Sequence, residues 1–239
     1  MKAKTSLSPG CGLAFLLVLF SPLPVTGRER PQLVVDDDKV ECPNATFSRI
    51  QDAVDAASPG ATIRVCKGTY AQQVAIRKPL TIAADSGAVL MPGTMQQNAT
   101  SLLDGSPFAA ALLVADTADV SIEGLIVDGA NNGVPQCSPR LFGIAFQNAS
   151  GEIFEGIRLE GDNNRVRHNE IFNGAQAGIF IAGNNNVVEH NKITEAAVGI
   201  LKETGSLGNL IRFNQIFGTP IAVQDPSSLG LAGVVSPER

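Results

Sequence analysis

The sequence predicts an all-β fold: a right-handed parallel β-helix with coils of about 22 residues and an N-terminal capping α-helix. Two observations support this prediction. Residues 156–171 (GIRLEGDNNRVRHNEI) and residues 178–193 (GIFIAGNNNVVEHNKI) are copies of one motif. One amphipathic segment that suits a helix also stands before a series of short strand-like runs. A short fixed period indicates one structural unit stacked on itself.

Each copy of the motif contains three short strands, which cannot enclose a core alone. When coils stack, each strand pairs with its equivalent about 4.8 Å away. A third, less regular copy continues the pattern with Ile200, Ile211, Phe213, Asn214 and Ile216. The stacking predicts three interior columns of aliphatic side chains: Val166/Val188/Ile211, Ile171/Ile193/Ile216 and Ile157/Ile179/Ile200/Ile221.

Four regions divide the chain. Residues 1–27 resemble a secretory signal peptide, with Lys2 and Lys4 before an apolar run that is too short to span a bilayer. Residues 28–41 are a polar lead-in, whose Asp36-Asp37-Asp38 run we interpret as solvated rather than as a metal site. Residues 42–225 form the β-helix domain, and residues 226–239 form a loose tail. The mature protein is therefore expected to be secreted or periplasmic.

The elements after the lead-in follow from local patterns. Phe47, Ile50, Val54 and Ala57 lie on one face of the expected helix, with Ser48 and Gln51 as a capping box. Short strands follow at 62–66, 74–76 and 80–82, and Asp104-Gly105 and Asp128-Gly129 end apolar runs as turns. Turn chemistry explains these aspartates better than a calcium site does.

The polar positions of the repeat also predict a register. Arg167, Glu189 and Arg212 are equivalent, so their charges alternate up the stack and are favourable neighbours. The equivalent residues Asn169, Asn191 and Asn214 are expected at the sharp turn, because asparagine tolerates the left-handed conformation and its amide can bond its neighbours.

One stretch fits this register poorly. Gly143 and Gly156 both precede Ile, as Gly178 does, yet they are only about 13 residues apart, too few for a coil. Either this region is a tightened turn or the register differs there.

Three cysteines follow the signal peptide: Cys42, Cys66 and Cys137. In an oxidising compartment a disulfide is expected. We favour Cys42–Cys66, which would tie the segment before the helix to the first core strand. The alternative is that all three are reduced and buried.

Composition excludes several partner classes. The 239-residue chain has a formal net charge of −5, which gives no general attraction to nucleic acid or anionic lipid. After the signal peptide no segment is long and apolar enough to span a membrane.

The GI-x-I, Asn-rich and V-x-H-N-x-I segments resemble the repeats of right-handed parallel β-helix proteins of the pectin-lyase-like superfamily. The leading FSRIQDAVDAASPGATIRVCKGTY at 47–70 is similar to the helix cap and first coil of such proteins, pectin methylesterases included. The resemblance implies the fold for about residues 42–225. It implies no single activity, because this fold hosts lyases, hydrolases, esterases, epimerases, adhesins and inert stalks. The catalytic signatures of its enzymes are absent from this sequence.

Candidate sites are therefore argued from the residues alone. Arg158, Glu160 and Asp162 lie close together at a strand end and are the candidate catalytic group, although a solvated charged edge explains them too. The face formed by the first strand of each coil is expected to carry a largely apolar strip: Ala145, Arg158, Phe180, Leu201 and Ala222. The strip is either a surface covered by a loop or, if uncovered, a contact patch in which Phe180 and Leu201 are the candidate ligand contacts. His168 and His190 share one column with Phe213. A two-histidine metal site lacks a third ligand, so stacked rings are the simpler interpretation.

We favour a non-catalytic exported scaffold that binds cell-surface or extracellular carbohydrate, or a protein partner. The alternative is a polysaccharide lyase or glycoside hydrolase, and a third hypothesis is a metal-handling periplasmic protein that uses His168 and His190. No cofactor, resident metal or nucleic-acid partner is expected. Because an uncovered last coil exposes strand edges, self-association through the C-terminal coil is a further expectation.

Overall fold

The structure is a computed structural model that describes residues 32–93, 96–100, 107–129, 141–147, 161–173, 177–196, 198–203 and 205–224. These residues form one short helix, α1 (Ile50–Ala56), and three sheets that wrap around a single core. Every described strand in the three sheets pairs in parallel with its equivalent in the next coil. The predicted right-handed parallel β-helix is confirmed.

The chain visits the sheets in the order A, B, C in each coil. Sheet A contains β1 (Gln32–Val35), β2 (Ala61–Val65), β5 (Leu80–Ala84), β9 (Ser121–Glu123), β12 (Arg165–Arg167), β15 (Val187–Glu189) and β18 (Leu210–Arg212). Sheet B contains β3 (Gly68–Tyr70), β6 (Ala88–Leu90), β10 (Ile126–Asp128), β13 (Glu170–Phe172), β16 (Lys192–Thr194) and β19 (Gln215–Phe217). Sheet C contains β4 (Val74–Ile76), β8 (Pro107–Ala115), β11 (Leu141–Gln147), β14 (Ala177–Ile181), β17 (Val198–Lys202) and β20 (Ile221–Gln224), and β7 (Ala99–Thr100) pairs antiparallel with β8.

Two of the three predicted columns are present as predicted. Val188 lies between Val166 and Ile211 in sheet A, and Ile193 lies between Ile171 and Ile216 in sheet B. Val166, Val188 and Ile193 are fully buried in the core. The alternating charges follow the same register: Arg167 pairs with Glu123 at 3.0 Å, and Arg212 pairs with Glu189 at 2.8 Å.

The third column is corrected at two positions. Ile179 is flanked by Ile144 on β11 and by Ile200 on β17, so the prediction that Ile157 stands next to Ile179 is wrong. The true equivalent of Gly178-Ile179 is Gly143-Ile144, and residues 148–160, which lie outside the described ranges, are an insertion between β11 and β12. This insertion explains the short spacing seen in the sequence. At the other end Val223, not Ile221, pairs with Ile200.

The sharp turns are made by residues one position earlier than predicted. His168, His190 and Phe213 have φ angles of 55°, 56° and 55°, whereas the asparagines that follow them do not have positive φ. Histidine is one of the few residue types enriched in the left-handed region. Asn169 and Asn191 instead point inward and are buried, which places their amides against backbone groups of the neighbouring coils.

The buried asparagines form a hydrogen-bonded ladder, as predicted. The Oδ1 atom of Asn191 accepts from the backbone N–H of Asn169 at 3.0 Å, and its Nδ2 donates to the carbonyl of Val166 at 2.9 Å. Asn214 repeats both bonds toward Asn191 and Val188. A second ladder of Asn164, Asn186 and Asn209 lies at the preceding corner. Together the ladders satisfy backbone groups that the corners would leave unpaired.

The N-terminal end differs from the sequence-based picture. Arg49 precedes α1 without a side-chain cap, so the predicted capping box is absent. Gln51 instead bonds β4, accepting from the N–H of Ala75 at 2.8 Å and donating to its carbonyl at 3.2 Å. The predicted lead-in contributes β1, which pairs with β2, so the sheet begins at Gln32.

Cys42 and Cys66 form a disulfide, as the sequence predicted, with 6.4 Å between their Cα atoms. The bridge joins the segment after β1 to the end of β2. Tyr70 is buried next to the bridge and donates its hydroxyl to the carbonyl of Cys66 at 2.7 Å. Burial and the nearby carboxylates of Asp37, Asp36 and Glu41 raise the pKa of Tyr70 above its usual range.

The C-terminal end of the described chain is apolar. Leu210, Phe213, Phe217 and Ile221 are all exposed, and all belong to the coil of β18, β19 and β20. The expectation that this coil mediates self-association is consistent with such a surface and stays a prediction. No helix within the described ranges has the length and apolar character needed to cross a bilayer.

Candidate functional site: the outer face of sheet C

Sheet C presents one continuous row of register positions on its outer face. The row runs through Ala75, Leu113, Ala145, Phe180, Leu201 and Gln224. Two members therefore differ from the expected strip. In sheet C β11 pairs directly with β14, so Ala145 is next to Phe180, where the sequence predicted Arg158 between them. Gln224 rather than Ala222 follows Leu201. Arg158 itself lies outside the described residues.

The row is covered at one end and more open at the other. Leu113 is 1% exposed and packs with Ala110, Ala115 and Ala177 in a cluster separate from the core. Phe180 and Leu201 pack against this cluster but are only half-buried, and Gln224 is exposed. Accessibility on this face therefore increases from β8 toward β20, and Phe180 and Leu201 lie where the covered part ends.

The strands near the covered end are separated by long stretches of sequence. Residues 91–106 join β6 to β8, residues 129–140 join β10 to β11, and residues 148–164 join β11 to β12. Asn98, in the first of these stretches, makes two hydrogen bonds to β8. Its Oδ1 accepts from the N–H of Ala110 at 2.9 Å, and its Nδ2 donates to the carbonyl of Ala110 at 2.8 Å. The connections to β17 and β20 are much shorter.

Two consecutive charged residues are buried at the end of β17, and the sequence analysis missed them. Lys202 and Glu203 are 8% and 4% exposed. Lys202 pairs with Ile181, so these two residues replace the Ile181-Ala182 of the preceding coil. Two charged residues at apolar positions of a repeat are the signal that would have found them. Charged side chains are rarely buried without partners.

Asp162 is the only member of the candidate catalytic group among the described residues, since Arg158 and Glu160 lie outside them. Its Oδ1 atom accepts from the backbone N–H of Asn184 at 2.7 Å. Asn184 makes the equivalent bond, accepting from Leu207 at 2.7 Å. Asp162 thus holds a repeated turn position, and burial raises the pKa of its carboxyl.

Replacing Asp162 by asparagine is expected to leave the fold intact. The amide oxygen can accept the same bond, as Asn184 shows one coil later. Because the pKa of Asp162 is raised in the folded state, its ionised form opposes folding as the pH rises through that pKa. Asp162→Asn should therefore match or slightly exceed the wild-type melting temperature at pH 7, with less advantage at pH 4. A variant clearly less stable than wild type at pH 7 would contradict this assignment.

The histidine column is a ring stack, as predicted. The His168 and His190 centroids are 5.2 Å apart with planes at 5°, and Phe213 stacks on His190 at 5.1 Å. The nitrogen lone pairs of an imidazole lie in its ring plane, and near-parallel planes do not converge on one ion. Phe213 adds no ligand. The stack therefore does not fit a bound transition metal in this arrangement.

A second donor group lies at the disulfide. One carboxylate oxygen of Asp85 and the sulfurs of Cys42 and Cys66 lie within 4.8 Å of one another. A soft metal needs thiolates, and these sulfurs are bonded to each other. The carboxylate of Asp85 also pairs with Arg64 at 2.8 Å. This group does not fit a resident metal either.

The comparisons with known proteins agree with this architecture. Residues 70–228 match the family model described as periplasmic copper-binding protein (NosD). No curated protein matches the chain significantly.

Two solved structures illustrate the fold. Pectin methylesterase PemA from Erwinia chrysanthemi is 16% identical with a TM-score of 0.53, over 78% of this chain and 55% of that one. A deglycosylated pectin methylesterase from Aspergillus niger is 17% identical with a TM-score of 0.51, over 82% of this chain and 61% of that one. The chain thus spans less than two thirds of either enzyme. At this identity the likeness shows the fold alone, a parallel β-helix like the one that the sequence resembles.

Proposed function

Since the chain belongs to the NosD family of periplasmic β-helix proteins, we propose that it acts outside the cytoplasm as a non-catalytic scaffold. Its ligand is an extended extracellular carbohydrate chain bound along the outer face of sheet C. The observation that carries this proposal is the row through Phe180, Leu201 and Gln224. It is continuous across three coils and passes from half-buried to exposed.

The composition of the row favours binding over hydrolysis. Glycoside hydrolysis uses two carboxyl groups about 5–10 Å apart. None of the row positions from Ala75 to Gln224 is acidic. An apolar strip with a half-exposed aromatic ring suits contact with the apolar face of a sugar.

The backbone beneath the row suits a rigid platform. Successive strands are paired in register, and the two asparagine ladders fix the corners on both sides of sheet A. Contact residues are therefore presented in a fixed spacing before a ligand arrives. Such preorganisation lowers the entropic cost of binding an extended chain.

Copper is named in the description of the family, and the described donors do not supply a fitting site for it. The His168–His190 stack lacks converging lone pairs and a third ligand, and the Cys42 and Cys66 sulfurs are joined. We therefore derive no copper chemistry for these residues.

The alternative function is a polysaccharide lyase or hydrolase that uses Arg158, Glu160 and Asp162. All three residues lie in the sequence between β11 and β12, and this alternative can be tested directly. In that case the Glu160→Gln/Asp162→Asn double variant would lose turnover while remaining folded.

The mature chain, residues 28–239, should bind at least one polysaccharide on a glycan array without cleaving or de-esterifying it. Leu201→Ala, which trims the row, is expected to weaken that binding about tenfold, the size of effect that loss of one central apolar contact gives. Val89→Ala removes a half-buried aliphatic side chain from the outer position of sheet B and is the matched control, with binding unchanged.

Three outcomes would overturn the proposal. Turnover abolished by Glu160→Gln/Asp162→Asn would establish the enzyme instead. Equal binding by Leu201→Ala and wild type would remove sheet C from the site. No glycan binding, combined with Leu201-dependent binding of a protein, would change the ligand class.

A further inference from the structure

Three consecutive carboxylates, Asp36, Asp37 and Asp38, follow β1, the first strand of sheet A. One carboxylate oxygen from each of Asp36, Asp37 and Asp38 lies within 4.8 Å of the others. The sequence predicts that this run is solvated, and for Asp36 that prediction is wrong, because Asp36 is fully buried. The reason is β1: Gln32–Val35 joins sheet A, and the N–H of the next residue, Asp36, donates to the carbonyl of Phe47.

The side chain of Asp36 is incompletely satisfied. Its Oδ2 atom accepts from the backbone N–H of Cys42 at 2.5 Å. Its Oδ1 atom is buried and has no hydrogen-bond partner among the residues that the structure describes. Burying a carboxylate oxygen without a partner is costly, and native structures rarely leave such a group unpaired. A cation bound at the three carboxylates would satisfy this oxygen.

The two neighbouring carboxylates are held in place by backbone donors. The N–H of Thr69 donates to Oδ2 of Asp37 at 2.9 Å, and the N–H of Val40 donates to Oδ1 of Asp38 at 2.9 Å. Gly68 has no Cβ, and an added one would collide with Oδ1 of Asp37. The close approach of Asp37 to β3 therefore requires a glycine at this position.

No basic side chain neutralises this cluster within the described part of the chain. The ion pairs there use other acids: Asp85, Asp116, Glu123, Glu170 and Glu189. After its burial, the carboxylates of Asp37 and Asp36 also contribute to the raised pKa of Tyr70. Three like charges and one orphaned oxygen favour a small hard cation.

We propose that Asp36, Asp37 and Asp38 bind one calcium ion. Carboxylate oxygens are the ligands calcium prefers, at about 2.3–2.6 Å, so ligands of one ion can lie up to about 5 Å apart. Magnesium, with ligands at about 2.1 Å and strict octahedral geometry, suits a wider spread of oxygens less well. The ion would fasten the segment after β1 to β3, next to the disulfide. This inference is independent of the proposed carbohydrate binding.

Calorimetric titration of the metal-free mature chain should show one calcium per chain, with a dissociation constant of about 10⁻⁴ M, as in extracellular calcium modules. At 10 mM calcium the melting temperature is expected to rise by roughly 5–10 °C over that in EDTA. Magnesium at 10 mM should give a smaller rise. Equal rises with both ions would mean that any divalent cation serves and would overturn the assignment to calcium.

Two variants separate a bound ion from a merely buried acid. Asp36→Asn should melt at or above wild type in EDTA, because it removes an uncompensated charge, and should gain nothing from calcium. Asp38→Asn, at an exposed position, should fold normally and bind calcium at least tenfold more weakly. Asp52→Asn, an exposed carboxylate of α1, is the control that keeps the full calcium response.

The proposal fails if wild type shows no calcium-dependent rise in melting temperature. It also fails if Asp38→Asn responds to calcium as wild type does. If Asp36→Asn does not fold, the titration of Asp38→Asn against Asp52→Asn still decides the question.

Discussion

Asn191→Ala is expected to lower the free energy of unfolding by about 3–5 kcal/mol, a large loss for one uncharged side chain. Asn191 is 1% exposed and bonds both neighbouring coils. Its removal leaves the buried N–H of Asn169 without its acceptor and takes one donor from the carbonyl of Val166. Each unsatisfied buried group costs about 1–3 kcal/mol, and the deleted amide also leaves a void.

The chain contains its own control for this experiment. Asn214 makes the same two bonds one coil later but is only partly buried. Water can replace its amide, so Asn214→Ala should cost about 1 kcal/mol. Urea unfolding followed by far-UV circular dichroism would compare the two variants. Equal losses would show that burial does not set the value of the ladder.

Removing the disulfide is the second large effect. Cys42→Ala/Cys66→Ala is expected to lower the free energy of unfolding by roughly 3 kcal/mol, because the bridge closes a loop across a sequence separation of 24 residues. That loop carries α1 and β2, so the unfolded chain regains much freedom when it is opened. Cys66 is fully buried, and alanine leaves the smallest disturbance there.

Thiol titration provides the check on this variant. The denatured, unreduced mature chain should expose only the thiol of Cys137, and reduction should add those of Cys42 and Cys66. Cys137→Ala should leave the unfolding midpoint unchanged. An unreduced chain with every thiol reactive, or a double variant as stable as wild type, would contradict the stabilising role of the bridge.

The repeat made the fold predictable because its period reports backbone stacking directly. Val166, Val188 and Ile211 occupy the positions that the repeat assigns to them, since a one-residue slip would turn an apolar side chain outward. Ile157 was misplaced because an insertion lies between two similar Gly-Ile pairs, and the short motif reads the same at Gly143 and at Gly156. Local similarity cannot tell which copy lies in the sheet.

The turn chemistry was predicted in kind but not in position. Both His190 and Asn191 are residue types that suit a left-handed corner, and the structure gives the corner to His190. The choice depends on the inside of the coil, where only the amide of Asn191 can bond Asn169 and Val166. These hydrogen bonds join residues of two coils, so the sequence around His190 alone does not predict them.

The candidate sites were the least predictable part. Asp36 seemed to belong to a solvated run, because nothing in QLVVDDD announces that β1 will extend sheet A. The position of Asp162 required knowledge that Asn184 and Leu207 repeat its turn bond. Burial of single polar groups depends on neighbours distant in sequence, which a periodic pattern does not report.

The two ends of the stack are built with unequal strength. The first coils carry α1, the Cys42–Cys66 disulfide and buried Tyr70, whereas the last described coil exposes apolar side chains to solvent. In a solenoid each coil contacts only its neighbours, so opening is expected to begin in the described coil whose apolar side chains are most exposed. Fraying should therefore proceed from β20 backward, and amide exchange should slow steadily toward β2. The part of sheet C that is most accessible to a ligand is also the part expected to open locally most often. A bound ligand would therefore slow amide hydrogen exchange first in β17 and β20.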